Sequence, residues 1–312
     1  MRGLELSERF YLEYGAPMIR EKFPELEGII AVGLAGSGSE CFGYDDGISR
    51  DHDFEAGFCI FIPDGFLDSK TEFALERAYS KLPKEFEGVR RSTMNPVGGN
   101  RHGVIKIGDF FKEKVGRENG ELTFNDWVFL PEQALAEATN GKVFRDDLGI
   151  FTSIREKLAY LPDEVRLKKL AGNLLIMAQS GQYNYNRCAK RGESGAAQLA
   201  VCEFVKSALN VIFLLNKKYI PYYKWCFRAL RDLPQLSHLS EPLEYLISSG
   251  NSVEETERKG DIIERICADI IAELETQELT RAVGNDIERH AYFVNDLIDD
   301  AEIRNLHILY AI

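Results

Sequence analysis

The chain has 312 residues, 45% apolar and 28% charged, a globular composition with more length than one hydrophobic core usually spans. Its 50 acidic and 38 basic residues give a formal charge of −12, which argues against non-specific binding to long nucleic acid, where affinity comes from neutralising phosphates. The six cysteines (41, 59, 188, 202, 226 and 267) form no Cys-x-x-Cys pair, Met1-Arg2-Gly3-Leu-Glu-Leu has no signal-peptide pattern, and the longest apolar run, near Val211–Leu215, is too short for a bilayer; a reduced, cytoplasmic protein is expected.

In chain order, residues 7 to 22 read as a helix, because Phe10, Tyr14 and Met18 recur four apart, with Pro17 interrupting it. An apolar strand, Ile29 to Leu34, leads into a glycine-serine loop that runs to Gly43. The chain then returns on a second strand, which carries Asp51 and Asp53 and continues into the apolar Phe58–Ile62. Pro63-Asp64-Gly65 ends it as a turn. Residues 68 to 82 read as a helix with Phe73, Leu75, Ala78 and Leu82 towards one side. A glycine-rich loop, Asn95 to Gly103, feeds a short strand, Val104 to Ile107. Asp126-Trp127-Val-Phe-Leu-Pro131 precedes a helix that Gly141 ends.

From Phe151 onwards the periodicity is helical, which places a domain boundary near Gly149 and predicts domains 1–149 and 150–312. The apolar stripes are Leu167, Leu170, Leu174 and Met177; Leu199, Val205, Leu209 and Ile212; Ile262, Ile266, Ile270 and Leu274; and Ile287, Val294, Leu297 and Ile298. Pro221 suits the first position of a further helix. The fold class is α+β, a mixed β-sheet with flanking helices followed by an all-α helical bundle.

Side chains two apart on a strand share a face, so Asp51 and Asp53 point the same way and repel unless a cation lies between them. Hard oxygen ligands suit Mg²⁺, which commonly bridges carboxylates to substrate phosphates. The glycines before them let backbone N–H groups approach a phosphate, with Ser39 adding a hydroxyl. His52 falls on the opposite face and reads as packing; Asp45 and Asp46 read as turn residues.

Gly38-Ser39, Gly43, Ser49 and Asp51-x-Asp53 resemble the signature of the nucleotidyltransferase superfamily, of polymerase-β-like fold, in which a Gly-Ser pair is followed by Asp-x-Asp on the next strand. The whole chain further resembles a bacterial branch, the domain-of-unknown-function 4037 family. The matching text is Asp51-His52-Asp53, Asp126-Trp127, Gly181-Gln-Tyr-Asn184, Arg187 and Tyr219-x-Pro221-Tyr-x-Lys224-Trp225. The resemblance implies a nucleotidyltransferase-like first domain and a helical second domain that closes on nucleotide. It implies Mg²⁺-dependent transfer of a nucleoside monophosphate, with ATP as the donor, to an acceptor hydroxyl. Asp51 and Asp53 would hold one or two Mg²⁺ ions, and Gly38 and Ser39 the outer phosphates.

The superfamily places a third carboxylate on a strand beside the first pair. This chain has Lys106 there and Asp109 just beyond; Glu55 and Asp126 are the other candidates. In the helical domain, Arg187 and Arg191, with Asn184 on the same helical face, and Lys224, in the aromatic-basic stretch from Tyr222 to Arg228, read either as a solvated charged face or as a triphosphate clamp. Glu203, in an apolar helical stretch, reads as a helix-end salt bridge or a general base. Resemblance to antibiotic-adenylating enzymes suggests a small acceptor such as an aminoglycoside or polyol, with protein and RNA ends left open. Two other classes stand beside the transferase: a nucleotide-binding sensor or partner of the same fold without turnover, and a metal-dependent phosphohydrolase.

Overall fold

Helix α1 (Gly3–Phe10) and helix α2 (Ala16–Lys22) are joined by a wider π turn, Tyr11–Gly15. Pro17 explains the turn: in the first turn of α2 it brings no N–H, and its ring crowds the carbonyl four residues back. Gly15 has a second role, because a Cβ there would overlap the Phe58 ring; the helix can lie this close to the next element only with glycine. The computed structural model describes residues 2–47, 55–91 and 102–312. Its contacts divide the chain into two units, Met1–Thr123 with Gln133–Ala159, and Phe124–Glu132 with Tyr160–Ile312.

The first unit is built on a four-stranded mixed sheet. Strands β1 (Ala31–Leu34) and β2 (Cys59–Ile62) are antiparallel, and a small hairpin, β3 (Glu85–Phe86) and β4 (Val89–Arg90), stands apart. Strand β5 (Gly103–Lys106) runs parallel to β2, and β6 (Lys142–Asp146) pairs antiparallel with β1 at the other edge, giving the order β5-β2-β1-β6. Strand β2 is buried on both faces, which is why its sequence is a continuous apolar run rather than an alternating one. Phe58, Ile60 and Ile62 join Phe10, Tyr11 and Met18 on one side. On the other side Phe61 stacks on Phe151 at 4.0 Å and meets Phe110 edge-on at 5.3 Å.

Those contacts tie α7 (Ile150–Lys157) to the sheet, so the expected boundary at Gly149 lies inside the first unit. Helix α3 (Ser69–Ser80) starts at Asp68, whose carboxylate accepts the Thr71 N–H at 2.7 Å. Leu75, Ala78 and Leu82 are buried, but Phe73, two residues from Leu75 and so on the far side, is exposed. Helices α4 (Ile107–Val115), α5 (Phe124–Phe129) and α6 (Glu132–Thr139) follow; Asp126 lies within α5 rather than ahead of the helix. Strand β6 has no counterpart in the sequence reading. It reaches β1 only because two glycines clear the way: a Cβ at Gly33 would press on the Lys142 carbonyl, and one at Gly141 would overlap that of Leu34.

The second unit is helical. Helix α8 (Asp163–Met177) continues through a π segment, Ala178–Tyr185, into α9 (Asn186–Lys190), and α10 runs from Ser194 to Leu215. Helix α10 is long and apolar enough to cross a membrane by length and composition, which corrects the reading from unbroken apolar runs; most of it is buried inside the unit. Helices α11 (Tyr223–Arg231), α12 (Ser240–Ser248), α13 (Val253–Thr276), α14 (Ile287–Asp296) and α15 (Ala301–Asn305) complete it. Pro221 does not start α11; Tyr222 is its N-cap. The stripes on α8 and α13 are buried as expected, while Leu199 and Leu297 face outwards. All six cysteines are free thiols.

Gly141 also has φ +72°, in the left-handed region. Gly141→Ala is expected to lower the unfolding free energy of the first unit, read from urea denaturation, by at least the ~1–2 kcal/mol of that conformation, with overlap added. Gly28→Ala, where a Cβ meets nothing within 4 Å, is the control and should shift it by only a few tenths of a kcal/mol.

Candidate functional site in the first unit

Asp51 and Asp53 lie outside the described residues, as do Ser49, His52 and most of the loop from Asn95. The site is therefore built from the loop after β1, the end of β5 and the start of α4. The loop is held by one side chain. Asn140 accepts the Gly36 N–H and donates to the Gly36 carbonyl, both at 2.8 Å, so a single amide takes both backbone groups of a buried residue. Beside it, Ser37 donates to Glu137 at 2.7 Å and accepts from the Lys114 ammonium at 3.0 Å, while Lys114 and Glu137 are themselves 3.0 Å apart. Burial works against the Lys114 charge, but the bond and charge of Glu137, with Glu113, outweigh it and raise its pKa. Lys114 is thus a cation and not a base.

The next N–H groups are left over. Among the described residues no acceptor takes the backbone N–H of Ser37, Gly38 or Ser39. Successive N–H groups in a turn are the usual material of an anion site. The half-buried Gly38 has φ +129°, and a Cβ on it would overlap the Glu40 carboxylate. The Ser39 hydroxyl points the same way, donating to Glu40 at 3.5 Å. On its Cβ side Gly38 therefore faces a buried acid, which closes that side of the loop to a phosphate.

A cavity of about 220 Å³ lies next to this loop, lined by Gly36 and Ser37 rather than by Gly38 and Ser39. Lys106, Asp109 and Lys114 line it too. Asp109 is exposed in the first turn of α4, and Lys106 pairs with Glu72 at 3.3 Å. Cys59 also lines it, but burial pushes its thiol up to about 12, so it is no nucleophile near neutrality. The other candidates for a third acid are elsewhere: Glu55 lies 4.0 Å from His102, and Asp126 belongs to the second unit. No group of three or more His, Cys, Asp or Glu among the described residues is arranged to hold a metal.

In the second unit the expected clamp residues are engaged locally. Arg187 stacks on Tyr183 with its guanidinium 4.5 Å from the ring centre and bonds the Tyr183 hydroxyl. Lys224 lies 5.2 Å from the Trp225 ring, and Arg191 is the exposed C-cap of α9. The expected common face of Asn184, Arg187 and Arg191 is disturbed because residues up to Tyr185 wind as a π-helix, with a wider turn. Glu203 is exposed on α10, which removes the burial that a raised-pKa base would need.

The sequence reading passed over a second polar cluster. Glu132 and Lys169 are nearly buried and 4.0 Å apart, and the Ile220 N–H donates to Glu132 at 3.4 Å. Burial raises the pKa of Glu132 and lowers that of Lys169, each against the charge of the other. Tyr160 and Tyr219 lie beside them with their rings tilted at 5.4 Å, the pKa of both raised by burial and by Glu132. Spacing in sequence could not have found it, since its members come from four separate segments.

Residues 127–226 match the model of the family described as Domain of unknown function (DUF4037). The match takes in Arg187, Arg191 and Lys224, together with this buried cluster. No curated protein and no solved structure matches the chain.

A buried pair broken on one side leaves an uncompensated charge, at about 3–5 kcal/mol. Glu132→Gln or Lys169→Met alone should therefore destabilise the second unit strongly, and the double variant much less than the sum. Urea denaturation of the three proteins gives the coupling; additive losses would mean that the two side chains do not interact.

Proposed function

We propose that the chain is a Mg²⁺-dependent nucleotidyltransferase that moves a nucleoside monophosphate, AMP from ATP, onto an acceptor hydroxyl of a small molecule. The observation that carries this reading is the loop after β1: three successive N–H groups without a protein acceptor among the described residues, beside a serine hydroxyl and a lysine held in its charged form. A triphosphate needs donors and positive charge of that kind. The sheet supports the reading more coarsely, since it is mixed and carries the loop directly after β1. The detailed nucleotidyltransferase fold is part of the proposal.

In this account the loop N–H groups hold the outer phosphates, Ser37 exchanges its bond to Glu137 for one to a phosphate oxygen, and Lys114 supplies positive charge. Asp51 and Asp53 would hold Mg²⁺, whose supply of positive charge would favour departure of pyrophosphate. The acceptor oxygen attacks the α-phosphorus as its proton passes to solvent, the bond to the bridging oxygen breaks, and pyrophosphate leaves. Of the three acids that the sequence offers as a third carboxylate, Asp109 is the one that lines the cavity beside the loop, and it takes that part in this account.

A second reading, a nucleotide-binding partner without turnover, has two observations in its favour. Glu40 occupies the space beside Gly38, and β5 carries Lys106, paired with Glu72, where a third acid is expected. Pyrophosphate release separates the two readings, because binding without release supports the partner.

Calorimetry with MgATP tests the site itself. Ser37→Ala and Lys114→Met should each weaken binding by the ~1.5–3 kcal/mol of a hydrogen bond to a charged group. Asp51→Asn should abolish the Mg²⁺ dependence. The double variant Glu137→Gln, Lys114→Met keeps the local charge balanced and should bind as poorly as Lys114→Met. Wild-type affinity in all of these would remove the site.

A further inference from the structure

Within the second unit, α12 and α13 border a cavity of about 410 Å³, the size of a site for a small organic molecule. Its floor is apolar, made by the buried Leu239, Ile262 and Ile266. Tyr245 supplies a flat wall, and the guanidinium of Arg258 lies over its ring at 4.5 Å. Arg265 follows seven residues later on α13, hence on the same face of the helix.

The charges decide what such a cavity would take. Arg258 and Arg265 are exposed, and neither forms an ion pair among the described residues; the one hydrogen bond of Arg265 goes to the Asp261 carbonyl of its own helix at 3.3 Å. Of the two acids at the edge, Asp269 is already engaged by His238 at 3.2 Å, which leaves Glu241. Glu241 and Asp269 stand at the edge, but neither lies within ion-pair distance of Arg258 or Arg265, so both guanidinium groups keep donors for a ligand. Planar guanidinium groups suit carboxylate, sulfonate and phosphate oxygens, and they also stack on flat rings.

We infer that this cavity binds a small aromatic anion, its ring on Tyr245 and the apolar floor and its acidic group on Arg258 and Arg265. The site is separate from the loop after β1 and does not depend on the activity proposed there.

Fluorescence titration of the full chain with 1-anilinonaphthalene-8-sulfonate tests it, using Arg258→Ala, Arg265→Ala and the double variant. Both positions are exposed, so the variants should fold, and circular dichroism checks that they do. Saturable binding is expected, weakened about tenfold by each substitution, as the loss of a hydrogen bond to a charged group implies. 2-Naphthoate should displace the dye and neutral 2-naphthylmethanol should not. Unchanged dye binding by the double variant overturns the proposal, as does equal displacement by the neutral compound. Displacement by an acidic peptide but not by naphthoate would overturn it in favour of a protein-docking groove.

Discussion

The first unit depends on how Asn140 holds Gly36. Strand β1 ends at Leu34, and from there the chain must leave the sheet with its backbone groups satisfied. The Asn140 amide takes both of those on Gly36, and the next residue, Gly141, donates its N–H to Cys41 at 2.9 Å. The corner between α6 and β6 thus grips the loop at both ends. Leaving either buried Gly36 group unmade would cost about 1–3 kcal/mol. The same grip brings β6 to the edge of β1 and sets Glu137 beside Ser37 and Lys114. What remains outside it is the run of N–H groups from Ser37 to Ser39. In the proposed reading these groups would be held in place before a phosphate arrives, which would lower the ordering cost of binding.

The second unit solves its burial problems with dipoles more than with charges. Lys168 is fully buried, and its ammonium donates to the Asn295 side chain and to the Arg304 and Leu306 carbonyls, at 2.7 to 3.2 Å. Lys259, equally buried, donates to Gln198, Asn251 and the Ser249 carbonyl at 3.0 to 3.2 Å. Burial lowers the pKa of both. Three directed acceptors specify a geometry that an apolar side chain could not, because an unmet donor in such surroundings is expensive. Lys168 fixes α8 to the C-terminal segment, and Lys259 fixes the turn between α12 and α13.

Much of this fold was legible in the residues. Strands β1 and β2, the stripes of α8 and α13 and the turn at Pro63 follow from local period and turn chemistry, which act within a few residues. What escaped was tertiary. Strand β6 holds only Val143 and Phe144 as apolar residues, too few for a pattern, and its pairing rests on Gly33 and Gly141 clearing space for each other's strands. The motif points to Gly38-Ser39, yet the cavity is lined by Gly36-Ser37, where Lys114 and Glu137 meet the Ser37 hydroxyl from distant helices. Leu199 fits a helical stripe in sequence but faces outwards, because periodicity gives a face and not which face is covered. The two aspartates that carry the metal in this account were read from the chain alone.

The central claim is that the bond broken lies at the α-phosphorus, and label position tests it most directly. The chain is incubated with Mg²⁺ and ATP labelled either at the α- or at the γ-phosphate, over a panel of aminoglycosides, polyols, protein and RNA ends. Label from the α-position on an acceptor, with γ-label leaving as pyrophosphate, is the predicted result. Free phosphate from the γ-position with no labelled acceptor would contradict it and identify a phosphohydrolase instead.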